Sequence, residues 1–257
     1  MREIEDIREE LHACDMEIAA LLTRRMDYIR EIIEYKRVHG TPIFQPAQEE
    51  KQRQALAEVY AGTAYEREKA SVFEQITEMS KRVQARALLP YNIALIGFMG
   101  AGKSTVASYL RQMLAMDLME TDALIVEREG MPITEIFAKR GEAYFRDLES
   151  RIVLETQERE LTIISCGGGL VMRPENVRNL KKSSRIVLLT ARPETIYERV
   201  RHSGERPILN GHMNVEYIAG LMEKRRAAYE NAADLIIETD GKDVQEICEE
   251  LIRRIHP

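Results

Sequence analysis

The stretch whose spacing carries the most chemistry is Gly97-Phe98-Met99-Gly100-Ala101-Gly102-Lys103-Ser104-Thr105. Glycines let a backbone turn so that several N–H groups point at one anion, and a helix opening behind them adds the positive end of its dipole. A lysine placed there reaches the β- and γ-phosphates of a nucleotide, and a serine hydroxyl joins a Mg²⁺ shell. Gly97, Gly100, Ala101, Gly102, Lys103, Ser104 and Thr105 are therefore the expected phosphate-binding set. The bland alternative is a glycine-rich turn that binds nothing. The flanks favour the phosphate, because Ile93-Ala94-Leu95-Ile96 reads as a buried strand and 106–110 as a helix start.

Other candidates follow. Met119-Glu120-Thr121-Asp122 sets two carboxylates two residues apart, and on a strand end both would point to the C-terminal edge where α/β folds bind ligands. Gly167-Gly168-Gly169 follows the buried run 162–165 and permits close backbone approach to a ligand. Cys166 reads as a small core residue, since no base lies beside it in sequence. The polar loop 202–211, with Arg206 at its centre, suits a lid.

A second group lies upstream. Ile4, Ile7, Leu11, Cys14, Ile18 and Leu21 repeat at spacings of three and four, the signature of a helix-packing seam that continues as Arg25, Tyr28, Ile32 and Tyr35. A guanidinium at such a position needs an anion, because an unpaired buried charge costs several kcal/mol. Lys36 lies nearly three turns on, about 16 Å along nearly the same face. The two cations define a space for a small anion; the alternative is an ion pair between Arg25 and a structural Glu. Ser80 and Gln84 form a polar pair beside the apolar side made by Val72, Ile76, Met79 and Val83.

The elements that must position these residues divide the chain in two. Residues 1–88 hold two of the 14 glycines and no convincing strand. Helices are expected over 2–38, from Pro46, and over 65–87, with breaks at 41–46 and at Gly62-Thr63. The first would be roughly 55 Å long, too long for this region to cover alone, so pairing with a second copy is expected. From residue 91 the pattern alternates strands (93–96, 162–165, 185–190, 235–238) with helices (133–140, 142–158, 193–200, from 214, 244–255). The boundary falls at Leu88-Leu89-Pro90-Tyr91, giving domains 1–88 and 91–257.

With 44% hydrophobic and 31% charged residues over 257 positions, the chain has the composition of a globular protein. A net charge of −6 argues against a broad nucleic-acid or anionic-membrane surface. No run of about 18 apolar residues occurs, and the first residues are charged, so neither membrane spanning nor secretion is expected. Three cysteines without Cys-x-x-Cys spacing fit a reducing cytoplasm, and five histidines form no metal-ligand pattern.

Three helices carrying Arg8, Arg25, Lys36, Glu49, Ser80 and Gln84 at these spacings resemble the all-helical chorismate mutase family over residues 3–87. The resemblance implies an intertwined homodimer, with Arg8 entering the partner subunit's site, and conversion of chorismate to prephenate. That rearrangement needs no nucleophile or proton transfer, only a compact conformer and stabilised developing charge. Arg8 and Arg25 would bind the two carboxylates, Lys36 and Gln84 would donate to the ether oxygen, Glu49 would accept from the ring hydroxyl and Ser80 would orient the ligand. Two positions depart from the family: Gln45 replaces a frequent Asp, and Gln48, in the chorismate-binding set, replaces a frequent Arg. The missing Arg contact is worth about 1.5–3 kcal/mol. It opens the alternative of a non-catalytic dimerisation or ligand-sensing module.

The phosphate loop, Glu120-Thr121-Asp122, Phe145-Arg146, Gly167-Gly168-Gly169, Arg206-Pro207 and Arg225 together resemble shikimate kinase over residues 91–255. The resemblance implies a five-stranded parallel sheet and phosphoryl transfer from ATP, with Mg²⁺, to the 3-hydroxyl of shikimate. Lys103 and the loop would hold ATP, with Arg199 against the adenine and Arg206 at the transferring group. Arg146 and Arg225, with backbone groups of Gly168 and Gly169, would clamp the shikimate carboxylate. Asp122 would position the attacking oxygen. Ser104 and Glu120 would serve the metal, Glu120 standing where the family usually has Asp. For any single arginine the alternative is a surface ion pair, and for the acceptor a sugar acid such as gluconate. The combined expectation is a bifunctional enzyme of aromatic amino-acid biosynthesis: an all-α three-helix domain followed by an α/β P-loop kinase domain.

Overall fold

The computed structural model describes residues 2–201 and 214–255, and the chain divides into two compact units, Met1–Leu88 and Leu89–Pro257. Among the described residues no helix is long and apolar enough to cross a membrane.

The first unit is three helices, α1 (Ile4–His39), α2 (Pro46–Tyr60) and α3 (Glu66–Leu88). Gly40 ends α1 in the left-handed region (φ 63°), and Pro46 opens α2 where its missing N–H costs nothing. Residues 2–24 are exposed throughout, and α1 packs on α3 only further along, where Ile29, Ile33 and Lys36 are buried.

Two expectations change here. Tyr28, Ile32 and Tyr35 stay exposed in the single chain, because the stripe that meets α3 leaves the seam after Arg25 and continues one position on, at Ile29, Ile33 and Lys36. On α3 the buried residues are Ser80, Gln84, Ala85 and Leu88, whereas Val72 and Met79 are exposed. The polar pair faces inward because it has hydrogen-bonding partners on α1.

In the second unit, five parallel strands form one sheet in the order β2-β3-β1-β4-β5: β1 (Asn92–Ile96), β2 (Asp117–Glu120), β3 (Thr162–Ser165), β4 (Ser184–Thr190) and β5 (Leu235–Glu238). The helices are α4 (Lys103–Leu114), α5 (Thr121–Glu129), α6 (Ile133–Glu155), α7 (Pro174–Leu180), α8 (Pro193–Val200), α9 (Val215–Ala232) and α10 (Val244–Ile255). Every residue of β1 and β3 is buried, as expected of central strands covered on both faces by crossover helices. The register Ile93↔Ile163 between β1 and β3, and Glu120↔Ser165 between β2 and β3, brings three loops to one edge of the sheet.

Two boundaries differ from expectation. Asp122 lies in the first turn of α5 rather than on a strand end. The chain turns helical at Thr121, whose hydroxyl donates to Ser165 O (3.3 Å) and accepts from Gly167 N (2.8 Å). Gly141 (φ 82°, ψ 168°) is not helical and divides 133–155 into two halves, 133–140 and 142–155, the two helices expected there. The second half ends at Glu155, and Thr156–Glu158 form a 3₁₀ turn.

Gly97 has φ 143°, and a side chain there would run into the carbonyl oxygen of Leu189 on β4. Gly97→Ala is therefore expected to cost about 1–3 kcal/mol in urea unfolding. An unchanged midpoint would show that the loop can shift away from β4 at no cost.

Candidate active sites

One site is a cleft of about 740 Å³ over the C-terminal edge of the sheet. Residues 99–106 form one wall, and Glu120, Asp122, Arg146, Glu149, Gly168, Gly169, Arg199 and Arg225 also line it. Gly102 (φ 96°) caps α4, whose opening turn starts with Lys103 and Ser104. The Lys103 ammonium folds back onto the carbonyls of Gly97 (2.9 Å) and Phe98 (3.2 Å). It is thereby held at the mouth of the loop, on acceptors that a phosphate would outcompete.

At the other end the glycine run is flanked by charge. A side chain at Gly167 would strike Asp122 and come within 2.9 Å of Glu149 Oε1, and one at Gly169 would strike the Arg146 guanidinium. These glycines thus admit the protein's own charged groups. Arg146 donates to Glu149 (2.7 Å) and to Glu142 (2.8 Å) and is only 11% exposed. Burial works against its charge, but Glu149 and Glu142 outweigh that and raise its pKa, so it stays a cation.

Arg225 sits over the Phe98 ring (5.9 Å) and bonds to Tyr229, whose hydroxyl donates to Gly168 O. Its Nη1 is buried without a hydrogen-bond partner among the described residues. Such a donor is costly unless something else accepts from it. Arg199 joins the phosphate loop to the segment after β5, donating to Gly100 O (3.2 Å), Thr239 Oγ1 (3.0 Å) and Thr239 O (3.3 Å).

Glu149 is wholly buried (0% exposed), and its Oε1 has no hydrogen-bond partner among the described residues. Burial pushes its carboxyl up to about 7; Arg146 opposes this and Asp122 adds to it. Since Arg146 remains charged, the carboxyl is the group that takes up the proton. Cys166 is also buried, its thiol pushed up to about 12, which suits a core residue and not a nucleophile.

The second site lies within the helical unit. The Arg25 guanidinium bonds to the Ser80 hydroxyl and pairs with no carboxylate among the described residues. Lys36 Nζ donates to Gln84 Oε1 (2.9 Å) and Ile43 O (2.8 Å). Burial lowers its pKa to about 8, with Glu49 opposing the fall. Glu49 is paired with Lys81 (3.1 Å). Arg8 is 70% exposed on a pair with Glu5, and Gln48 is exposed on the first turn of α2. The single chain therefore assembles Arg25, Lys36, Glu49, Ser80 and Gln84 and leaves Arg8 and Gln48 outside.

Residues 99–256 match the family model for shikimate kinase, and residues 7–85 match that for chorismate mutase type II. The chain belongs to the shikimate kinase family. A shikimate kinase from Dehalococcoides mccartyi is 41% identical over 160 residues, 62% of this chain and 90% of that protein. One from Thermodesulfovibrio yellowstonii is 39% identical over 63% of this chain and 93% of its own length. Among solved structures, shikimate kinase from Acinetobacter baumannii in complex with shikimate superposes with TM-score 0.62 at 29% identity, covering 64% of this chain and 92% of that one. The enzyme from Aquifex aeolicus gives 0.55 at 37%, covering 63% and 94%.

In this shikimate kinase unit the structure brings together every candidate except Arg206, which lies outside the described residues. The sequence reading missed Glu149, Tyr229 and Thr239. Glu149 had a signal, its i+3 spacing from Arg146 on a helix. Tyr229 and Thr239 had none, because their contacts join distant segments. In the helical unit it missed Lys81, adjacent to Ser80.

The raised Glu149 pKa gives a signed prediction. The folded protein holds this proton between the ordinary value near 4.5 and about 7, so the group's stabilising contribution is complete below that window and lost as pH rises through it. The melting temperature of Glu149→Gln relative to wild type should therefore climb between pH 5 and pH 8. A flat difference would mean that Glu149 ionises normally.

Proposed function

We propose that the chain is a bifunctional enzyme that phosphorylates shikimate from ATP in its α/β unit and rearranges chorismate to prephenate in its helical unit. The observation that carries the first activity is the convergence in one cleft of a phosphate loop, the Asp122 carboxylate, and Arg146 and Arg225 held for a planar anion. Backbone N–H groups and the start of α4 bind the nucleotide phosphates, and Lys103 transfers from Gly97 O and Phe98 O to the β- and γ-oxygens. The shikimate carboxylate takes the Arg225 Nη1 donor and the Arg146 edge, and backbone groups of Gly168 and Gly169 complete that wall. Asp122 accepts from the hydroxyl that attacks. Arg199 walls the nucleotide side, and Arg206 meets the transferring group.

A hydroxyl and a carboxylate, Ser104 and Glu120, suit Mg²⁺, which keeps several waters and is shared with substrate phosphates. When bound, the ion neutralises charge on the β- and γ-phosphates.

For the second activity, Arg25 on the Ser80 hydroxyl offers a guanidinium to a carboxylate, Lys36 and Gln84 offer donors to the ether oxygen, and Glu49 acts on Lys36. Residues 4–24 of α1 expose Ile4, Ile7, Leu11, Ile18 and Leu21. That stripe pairs with a second copy in a homodimer, which is how Arg8 reaches a site. The enzyme works in the cytoplasm on small molecules, with no nucleic acid or membrane partner.

Lys103→Ala should lower shikimate phosphorylation by at least about 10³-fold while chorismate turnover persists, and gluconate should not replace shikimate as acceptor. Arg25→Ala should lower chorismate turnover by about 10²–10³-fold and leave the kinase intact. Leu11→Asp should convert a dimer to a monomer in sedimentation. A folded wild-type protein with kinase but no chorismate turnover would make the helical unit a dimerisation or sensing module.

A further inference from the structure

Three cations, Arg25, Lys36 and Lys81, come together in the helical site with the Glu49 carboxylate. Lys81 follows Ser80 on α3, and its side chain is only 16% exposed, with Glu49 at 29%. Its ammonium lies 3.1 Å from Glu49 Oε2 and 5.7 Å from the centre of the Phe44 ring. Lysine side chains ordinarily lie along a surface with the ammonium in water. Drawing this one inward costs hydration and rotamer freedom, which the carboxylate and the ring face offset.

Glu49 has a competing partner. It acts on Lys36 strongly enough to oppose the effect of burial there. Ile43 O and Gln84 Oε1 occupy two of the three Lys36 donors, so a carboxylate swinging onto the third would sit where a ligand oxygen belongs. The two positions of Glu49 therefore differ in consequence: on Lys81 it leaves Lys36 open to an anion, and on Lys36 it blocks one.

We propose that Lys81 is a positioning residue of the helical site, holding the Glu49 carboxylate beside α3 so that the anion seat between Arg25 and Lys36 stays open. This rests on the chorismate reading of that site. Lys81 acts through Glu49, so its importance must disappear when Glu49 carries no charge.

The test is a double-mutant cycle in the full-length protein, with wild type, Lys81→Met, Glu49→Gln and the double variant, plus Lys81→Arg. Chorismate consumption gives kcat and KM, and calorimetric titration with prephenate reads binding without turnover. Lys81→Met should raise KM and weaken prephenate binding by about tenfold, with a smaller fall in kcat. Lys81→Arg should recover to within about threefold of wild type, and in the Glu49→Gln background Lys81→Met should change KM by less than about twofold. An equal loss in both backgrounds, or no loss in either, overturns the proposal. If Met at this position unfolds the helices, Lys81→Gln runs the same cycle. Wild-type protein that neither consumes chorismate nor binds prephenate removes the chorismate reading and the proposal with it; wild-type activity untouched by Lys81→Met removes the proposal alone.

Discussion

A site for anions must keep positive charge out of water while no anion is present, and both units of this chain are built around that constraint. An unpaired buried cation is expensive, so each one rests on an internal acceptor weak enough to give way. Lys103 rests on two loop carbonyls and Lys36 on a carbonyl and an amide. Arg25 rests on a serine hydroxyl. Arg146 and Lys81 rest on carboxylates instead, and Glu149, the buried partner of Arg146, bears the burial through a raised pKa.

The parallel sheet turns scattered motifs into one cleft. Because β1 lies between β3 and β4, the phosphate loop leaves the sheet beside the glycine run after β3, with Glu120 and Asp122 one strand further over. Connections between parallel strands cross on helices, which places every strand's C-terminal loop at the same edge. The Thr121 hydroxyl then ties the start of α5 to the end of β3 and fixes Asp122 against the glycines. Side-chain size matters as much as topology there, since a Cβ at Gly167 or Gly169 would displace the charges that line the cleft.

The helical unit reaches its site differently. Its helices present two stripes: an inner one, where Arg25, Ile29, Ile33 and Lys36 meet Ser80 and Gln84, and an outer apolar one that the single chain leaves in water. The inner stripe mixes Ile29 and Ile33, which hold the helices together, with polar groups that satisfy one another across the gap.

Periodicity and spacing alone established much of this protein. A strand followed by Gly97 to Thr105 and a helix, the glycine run after 162–165, and the three-helix pattern broken at 41–46 and 62–63 are local properties, set by backbone preferences over a few residues. The boundary near residue 88 was legible for the same reason, as a change from helical to alternating pattern. What stayed hidden depends on contacts distant in sequence. Nothing near Lys81 announces that it meets Glu49, 32 positions away, or near Tyr229 that it meets Gly168, 61 away. A seam of heptad type also leaves its rotation ambiguous: a shift of one residue turns a helix by about 100°. That shift separates the exposed Ile32 from the buried Ile33, and only the packing of α1 on α3 decided which of them the protein would cover.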